Sequence, residues 1–345
     1  MKKWPSIKDR LQNNLRFSAS YFVTMPNCIV FALVASLVIS ACSIIENSKN
    51  KQVSLATVVT QYSTSMPYNE IGDVRISPDS IIITSAAELT DLYEKLNYNR
   101  NNCKIDNCAI PRITFNKIAS NWKEESSKLP VKTKKELFFH LMAPLVLIAN
   151  EKIKNERIIA KNSDINSSEL KTLALKYRVI KNLQTTLDES LRKTLLQRVD
   201  ILPPSLALAQ AAEESGWATS RFTSEGNAFF GQWDYSGKGM KPLEHRSHLG
   251  TYGVARFDSP LASVESYMLN INRNKAYLTL RTLRAQLREQ QQPITGYVLA
   301  GTLDKYSERG LAYVEGLRSM INYNQLALID NAYLADNQLI HIIMD

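Results

Sequence analysis

Leu206-Ala-Leu-Ala-Gln-Ala-Ala-Glu-Glu-Ser215-Gly-Trp217 is the stretch on which the fold turns. Its alanines and leucines make Leu206 to Ser215 a strong helix former. The preceding Asp200-Ile-Leu-Pro-Pro-Ser205 sets two prolines where first-turn amides need no intrahelical acceptor. Gly216 is expected to end or loosen the helix. Helical spacing aligns Gln210, Ala211, Glu214 and Trp217 on one face, with Glu213 about a quarter-turn away. A carboxyl beside small alanines and a large indole is shielded from water, so its pKa should rise, and a proton donor working near neutral pH needs that. Composition alone favours a plainer reading, in which both glutamates cover the solvent side of an Ala-rich helix.

The neighbouring residues change the balance. Leu208 to Trp217 resembles the LAQAAxESGWG motif of the glucosaminidase family, glycoside hydrolase family 73, with Ala218 where the family usually carries glycine. Three further blocks follow in order. Glu225-Gly-Asn-Ala-Phe-Phe-Gly231-Gln-Trp233 resembles the family's N-x-F-G block, with the Gly-Gln-Trp ending of its bacterial Bax-like branch. Arg256-Phe-Asp-Ser-Pro260 with Ser263-Val-Glu-Ser-Tyr267 resembles its turn into the next helix. There Ser259 suits an N-cap and Pro260 the first helical position. Tyr306-Ser-Glu-Arg-Gly310, with Tyr313 beyond, resembles the block where relatives carry Tyr-Ala-Thr-Asp and a later tyrosine. The similarity extends from about Leu129 to Leu326.

The resemblance implies a mainly α fold: a lysozyme-like helical domain over 200–326 with a small β-hairpin lobe, plus an N-terminal helical extension over 86–199. It implies that Glu214 is the catalytic acid. Glu244 falls in the glycine-rich lobe, Gly237 to Phe257, where some relatives place a second carboxylate to activate water. It reads equally as a solvated loop residue. Tyr306 is expected in the cleft, positioning the substrate's N-acetyl group or the water, because a phenol with a pKa near 10 is a poor base. Sugar rings stack on aromatic faces, although most aromatic residues at such spacings are core. Trp233 is expected at the groove and Phe230 in the packing. Gln210, Trp217, Tyr252 and Tyr313 are candidate substrate-binding residues, and Gln232 could hydrogen-bond an acetamido group. Acid catalysis on an acetal requires no cofactor and no metal.

Outside this region the chain reads as an exported protein. Lys2, Lys3, Lys8, Arg10 and Arg16 precede an uncharged run from Ile29 to Ile39 and the small residues Ser40-Ala41 before Cys42, as in an export signal. Ile39-Ser40-Ala41-Cys42 also resembles a bacterial lipobox, which implies a signal over 1–42 and lipidation at Cys42. With Ser43 next, it implies the periplasmic face of the outer membrane. An uncleaved inner-membrane anchor and ordinary cleavage remain open, since the apolar stretch can be extended from Cys28 to Ile45. Residues 43–85 read as a polar tether carrying at most one weak strand. Cys103 and Cys108 in CKIDNC suit a disulfide in an exported chain; metal is the alternative, but no histidine lies near them.

Helices are expected from Ala86 to Tyr98, from Pro130 toward Ile158 with Pro144 kinking or dividing it, and from Leu170 to Leu187. Residues 327–345 read as a C-terminal tail. Of the net charge of +9, basic residues crowding the front of the chain supply +4, and a mild excess of +5 is spread over the rest. It favours an anionic partner such as a wall polymer or lipid headgroup, and without zinc-finger or helix–turn–helix spacing a nucleic acid is not expected. The leading expectation is a monomeric endo-β-N-acetylglucosaminidase acting on the glycan strands of peptidoglycan. A muramidase or lytic transglycosylase would share the fold, and a wall-binding lipoprotein without activity would share the groove.

Overall fold

The computed structural model describes residues 80–99, 102–103, 108–242 and 252–345, all within the unit Arg75–Asp345. In chain order the elements are β1 (Ser80–Ile83), α1 (Ala86–Lys95), β2 (Ala109–Ile110), β3 (Ile113–Phe115), α2 (Trp122–Lys128) and α3 (Val131–Asn162). Next come α4 (Ser168–Lys176), α5 (Glu189–Arg198), α6 (Pro204–Ser215), α7 (Arg221–Gly226), β4 (Trp233–Asp234) and β5 (Gly253–Val254). Then follow α8 (Pro260–Arg273), α9 (Leu278–Glu289), α10 (Gly296–Ala300), α11 (Leu311–Tyr323), β6 (Tyr333–Leu334) and β7 (Ile340–Met344). The fold is mainly helical, with small sheets that do not close.

The decisive stretch forms α6, buried from Pro204 through Ala212. A helix apolar all round is a core helix, whereas a surface helix keeps one stripe. It touches α3, α10, α11 and the 3₁₀ turn Leu326–Asn331. Pro203 offers no side-chain cap. Asp330 supplies one from the far end of the chain: its carboxylate accepts from the Ser205 amide and hydroxyl (2.8 Å each) and from the Gly296 amide (3.1 Å). Gly296 lets α10 lie against this start, since an added Cβ would sit 2.1 Å from Ser205 Oγ and 2.5 Å from Leu206 N. Gly296→Ala should therefore cost about 1–3 kcal/mol by forcing two packed helices apart. Thermal unfolding checks this; an unchanged Tm would mean that the contact gives way freely.

Sequence expectations and structure part at several places. Pro144 does not divide α3, which runs unbroken for 32 residues. Proline removes one amide donor and crowds the preceding turn, but Pro144 is buried among Met142, Ala143, Leu145 and Val146, whose packing holds the helix together. The helix expected over Leu170–Leu187 stops at Lys176, because Arg178 turns left-handed (φ 56°) and the Val179 amide folds back to the Ala174 carbonyl. Tyr177, Ile180 and Leu187 still reach the core, so the apolar spacing reported burial without continuous helix. Strands β2 and β3 interrupt the expected helical extension.

Residues 327–345 are no tail. They contribute most of the 3₁₀ turn, β6 and β7, and β7 is the central strand of the parallel order β1-β7-β3. Ile342 is fully buried there, opposite Ile81 and Phe115. The main core cluster among the described residues runs from Ile83 to Met344, and a small second one gathers Ala228, Met240 and Val254. Cys103 and Cys108 are joined by a disulfide with Cα atoms 4.2 Å apart. Among the described residues no helix is long and apolar enough to cross a membrane. The apolar run before Cys42, and Cys42 itself, lie outside the described residues.

Candidate active site

The carboxyl end of α6 carries the candidate site. Gly216 closes the helix in the left-handed region, and Trp217 (φ 63°) and Ala218 (φ 64°) continue there. Left-handed backbone costs non-glycine residues roughly 1–2 kcal/mol, so surrounding bonds must hold this turn. Ser215 Oγ accepts from the Ala218 amide (2.9 Å), and the Trp122 indole donates to the Trp217 carbonyl (3.2 Å). The turn carries Trp217 off the helical face it was expected to share with Glu214. Its ring packs against Phe138 and Phe139 of α3 (centroids 5.6 and 5.3 Å), with the Lys135 ammonium 4.9 Å above. Trp217 is a buttress for the turn; the periodicity failed because the helix ends two residues before it.

Glu214 remains at the helix end, half-buried. Tyr313 Oη, from the first turn of α11, donates to its Oε1 (2.9 Å). Its other oxygen, Oε2, faces Gly231, where a Cβ would stand 3.6 Å away. Gly231 is left-handed (φ 58°), a conformation glycine adopts without strain. Burial raises the pKa of Glu214 from 4.5, and the negative charge of Glu213 adds to the rise. The Tyr313 hydrogen bond and Arg309 pull the other way. Desolvation dominates, in the direction a proton donor needs. Glu213 points elsewhere, pairing with Arg309 at 2.7 Å, and the Arg309 guanidinium lies 5.1 Å over the Tyr313 ring.

Tyr306 stacks on Tyr313 (5.3 Å, 5°) and donates to the Phe230 carbonyl at 3.4 Å. Burial and the charge of Glu214 lift its phenol well above 10, so proton abstraction by Tyr306 is disfavoured. Gln210 does not line a groove. It is fully buried, with Tyr267 Oη donating to its Oε1 and its Nε2 donating to Tyr313 Oη (3.0 Å). Phe230, expected as packing, stacks face to face on Tyr267 (3.9 Å, 6°).

Two residues of the expected set belong to the small lobe, where β4 pairs antiparallel with β5. Trp233 is 54% exposed and meets Tyr252 edge-on at 5.3 Å, an aromatic face open to solvent. Just before β4, Gln232 donates from Nε2 to Ser266 Oγ of α8 (3.2 Å), while its Oε1 is buried without a hydrogen-bond partner among the described residues. Glu244 lies outside the described residues.

Tyr267 was legible only as the last residue of the Ser263–Tyr267 block, and no spacing signal ties it to Gln210, 57 residues away. The Glu213–Arg309 pair left no trace in the sequence, since it joins α6 to the loop before α11.

Residues 190–326 match the glucosaminidase family, described as mannosyl-glycoprotein endo-beta-N-acetylglucosaminidase. The chain is also 34% identical over 203 residues to Protein bax of Escherichia coli (strain K12), a match covering 56% of this chain and 70% of that protein. No solved structure matches.

Proposed function

Since the chain belongs to the glucosaminidase family, glycoside hydrolase family 73, we propose that it hydrolyses the β-1,4 bonds of peptidoglycan glycan strands as an endo-β-N-acetylglucosaminidase, with Glu214 as general acid. The observation that carries the assignment is the unequal setting of the two Glu214 oxygens. Oε1 is held by Tyr313, while Oε2 is turned toward Gly231, 3.6 Å from where a Cβ would stand. A proton on Oε2 could reach a glycosidic oxygen there, and the Tyr313 bond would strengthen on Oε1 as negative charge develops.

Trp233 and Tyr252 offer ring faces for sugar, and Gln232 is the candidate hydrogen-bond partner for an acetamido group. Tyr306 positions the acetyl group or water. Water is activated by Glu244 or by the substrate's own acetamide, alternatives that imply different stereochemistry. In this reading residues 200–326 form the catalytic part of a monomer, with 86–199 buttressing it. Lipidation at Cys42 would hold it at the periplasmic face of the outer membrane, with residues 43–79 lying between the lipid and β1.

Digestion of purified sacculi followed by mass analysis of the new ends tests the linkage. Reducing N-acetylglucosamine ends are expected. Anhydromuramic ends would mean a transglycosylase, and tight binding without released fragments would mean a wall-binding protein.

A further inference from the structure

Four side chains form one continuous hydrogen-bonded path behind Glu214: Tyr267 Oη to Gln210 Oε1, Gln210 Nε2 to Tyr313 Oη (3.0 Å), and Tyr313 Oη to Glu214 Oε1 (2.9 Å). Its polarity follows from the acidic end. Oε1 of Glu214 carries no proton, either as carboxylate or with the acid proton on Oε2, so it can only accept and Tyr313 must donate its one hydrogen to it. Tyr313 Oη can then only accept from Gln210, which must present Nε2. The Gln210 oxygen is left facing Tyr267, whose hydroxyl must donate. Every link is fixed by its neighbour. Gln210 has 0% exposure, Tyr267 and Tyr313 1% each, so these three side chains are shielded from bulk solvent.

We propose that Tyr267 is a positioning residue for Glu214, acting through Gln210 by locking that amide in the orientation that commits the Tyr313 hydroxyl to the acid. Its own ring is fixed by the face-to-face stack on Phe230, the residue before Gly231, so one side chain couples the acid to the loop opposite it. Without the Tyr267 hydroxyl, only the Glu214 end of the path still orients the Gln210 amide, and the amide oxygen has lost its buried donor. Rotated, the amide would turn its oxygen to Tyr313, which could then donate to Gln210 and abandon Glu214. The acid would lose the donor that steadies its anion and its rotamer. That donor opposes the rise caused by burial, so its loss should move the Glu214 pKa further up.

This inference rests on Glu214 being the general acid, and the measurements separate the two. Full-length wild type, Tyr267→Phe, Tyr313→Phe and the double variant are compared on purified sacculi for kcat, KM and the alkaline limb of the pH–rate profile. The Glu214 carboxyl is titrated in each by ¹³C NMR. Tyr267→Phe should lower kcat about tenfold with KM unchanged, and shift the limb and the carboxyl titration to higher pH. Tyr313→Phe should do the same, and the double variant should be no worse than Tyr313→Phe alone, because both cut one path. Gln210→Met removes the amide oxygen that would compete for the Tyr313 hydrogen, so adding it to Tyr267→Phe should return kcat and the carboxyl titration toward wild type; the absence of that recovery would overturn the proposal. A Tyr267→Phe protein with lower Tm but wild-type kcat, limb and carboxyl titration overturns the proposal, as do effects that multiply in the double variant. If the carboxyl titration shifts but no variant alters hydrolysis, the path stands and the catalytic reading of Glu214 falls.

Discussion

Glu214→Gln is expected to lower sacculus hydrolysis by a factor of ~10² or more and, at neutral pH, to make the folded protein more stable than wild type. The replacement keeps the size of the side chain and an oxygen that can accept from Tyr313, so the hydrogen bond at 2.9 Å survives and only the acid is lost. The stability gain follows from linkage. Burial raises the folded-state pKa of Glu214 above its unfolded value near 4.5, so the folded state holds the proton more tightly. Below about pH 4 both states are protonated and the glutamate costs nothing. As pH rises from about 4.5 through the raised folded value, the unfolded chain ionises first and wild-type stability falls; above that value the loss is complete. Glutamine does not titrate, so the two Tm-versus-pH curves should coincide in acid and separate on the way to neutrality, with the variant on top. Undiminished hydrolysis would remove the acid assignment. A variant no more stable at neutral pH would mean that the carboxyl is not sheltered, and would remove the reason for its protonation.

The stretch that decides the fold was legible because its local and global demands agree. Prolines at the entry, apolar residues all round and glycine at the exit specify a buried helix with a sharp stop. Ser259 and Pro260 open α8 for the same reason: the Ser259 hydroxyl accepts from the Ala262 amide (3.1 Å), as an N-cap should. Glu214 followed from the motif, and its shelter from the alanines around it. The misreadings share a different cause. Trp217 lies just beyond the point where helical spacing stops applying, Gln210 was on the expected face but under it, and β7 pairs with strands from the opposite end of the described chain. Periodicity reports which residues are buried. It is silent on what buries them, and every link of the path behind Glu214 beyond α6 itself comes from another part of the chain.

Arg284→Met is expected to destabilise the fold by about 3–5 kcal/mol, the range for breaking a buried ion pair by removing one partner. Arg284 is fully buried, and its guanidinium donates to the carbonyls of Gln197, Arg198, Asp200 and Ile201 and to Asn272 Oδ1. These carbonyls surround the end of α5, where helical acceptors have no intrahelical partner and cations are favoured. Arg157 serves the same end, donating to the carbonyls of Leu196 and Val199. Burial pulls the Arg284 pKa down to about 10, so it remains charged at neutral pH, with the Asp200 carboxylate 3.9 Å away as counter-ion. Methionine fills much of the volume and supplies no donor, leaving buried carbonyls unsatisfied. Lysine should rescue little, since three donors on a point charge cannot match the planar fork. Arg288 grips Asp200 with two bonds of 2.7 Å but is 40% exposed, so Arg288→Met should cost distinctly less than Arg284→Met. Urea unfolding of the three variants gives the comparison, and a loss below about 1 kcal/mol for Arg284→Met, the net value of a single ordinary hydrogen bond, would sink the argument. Asp200 leads through Leu202 directly into α6, so the helix that carries Glu214 at one end starts from this arginine-bound carboxylate at the other.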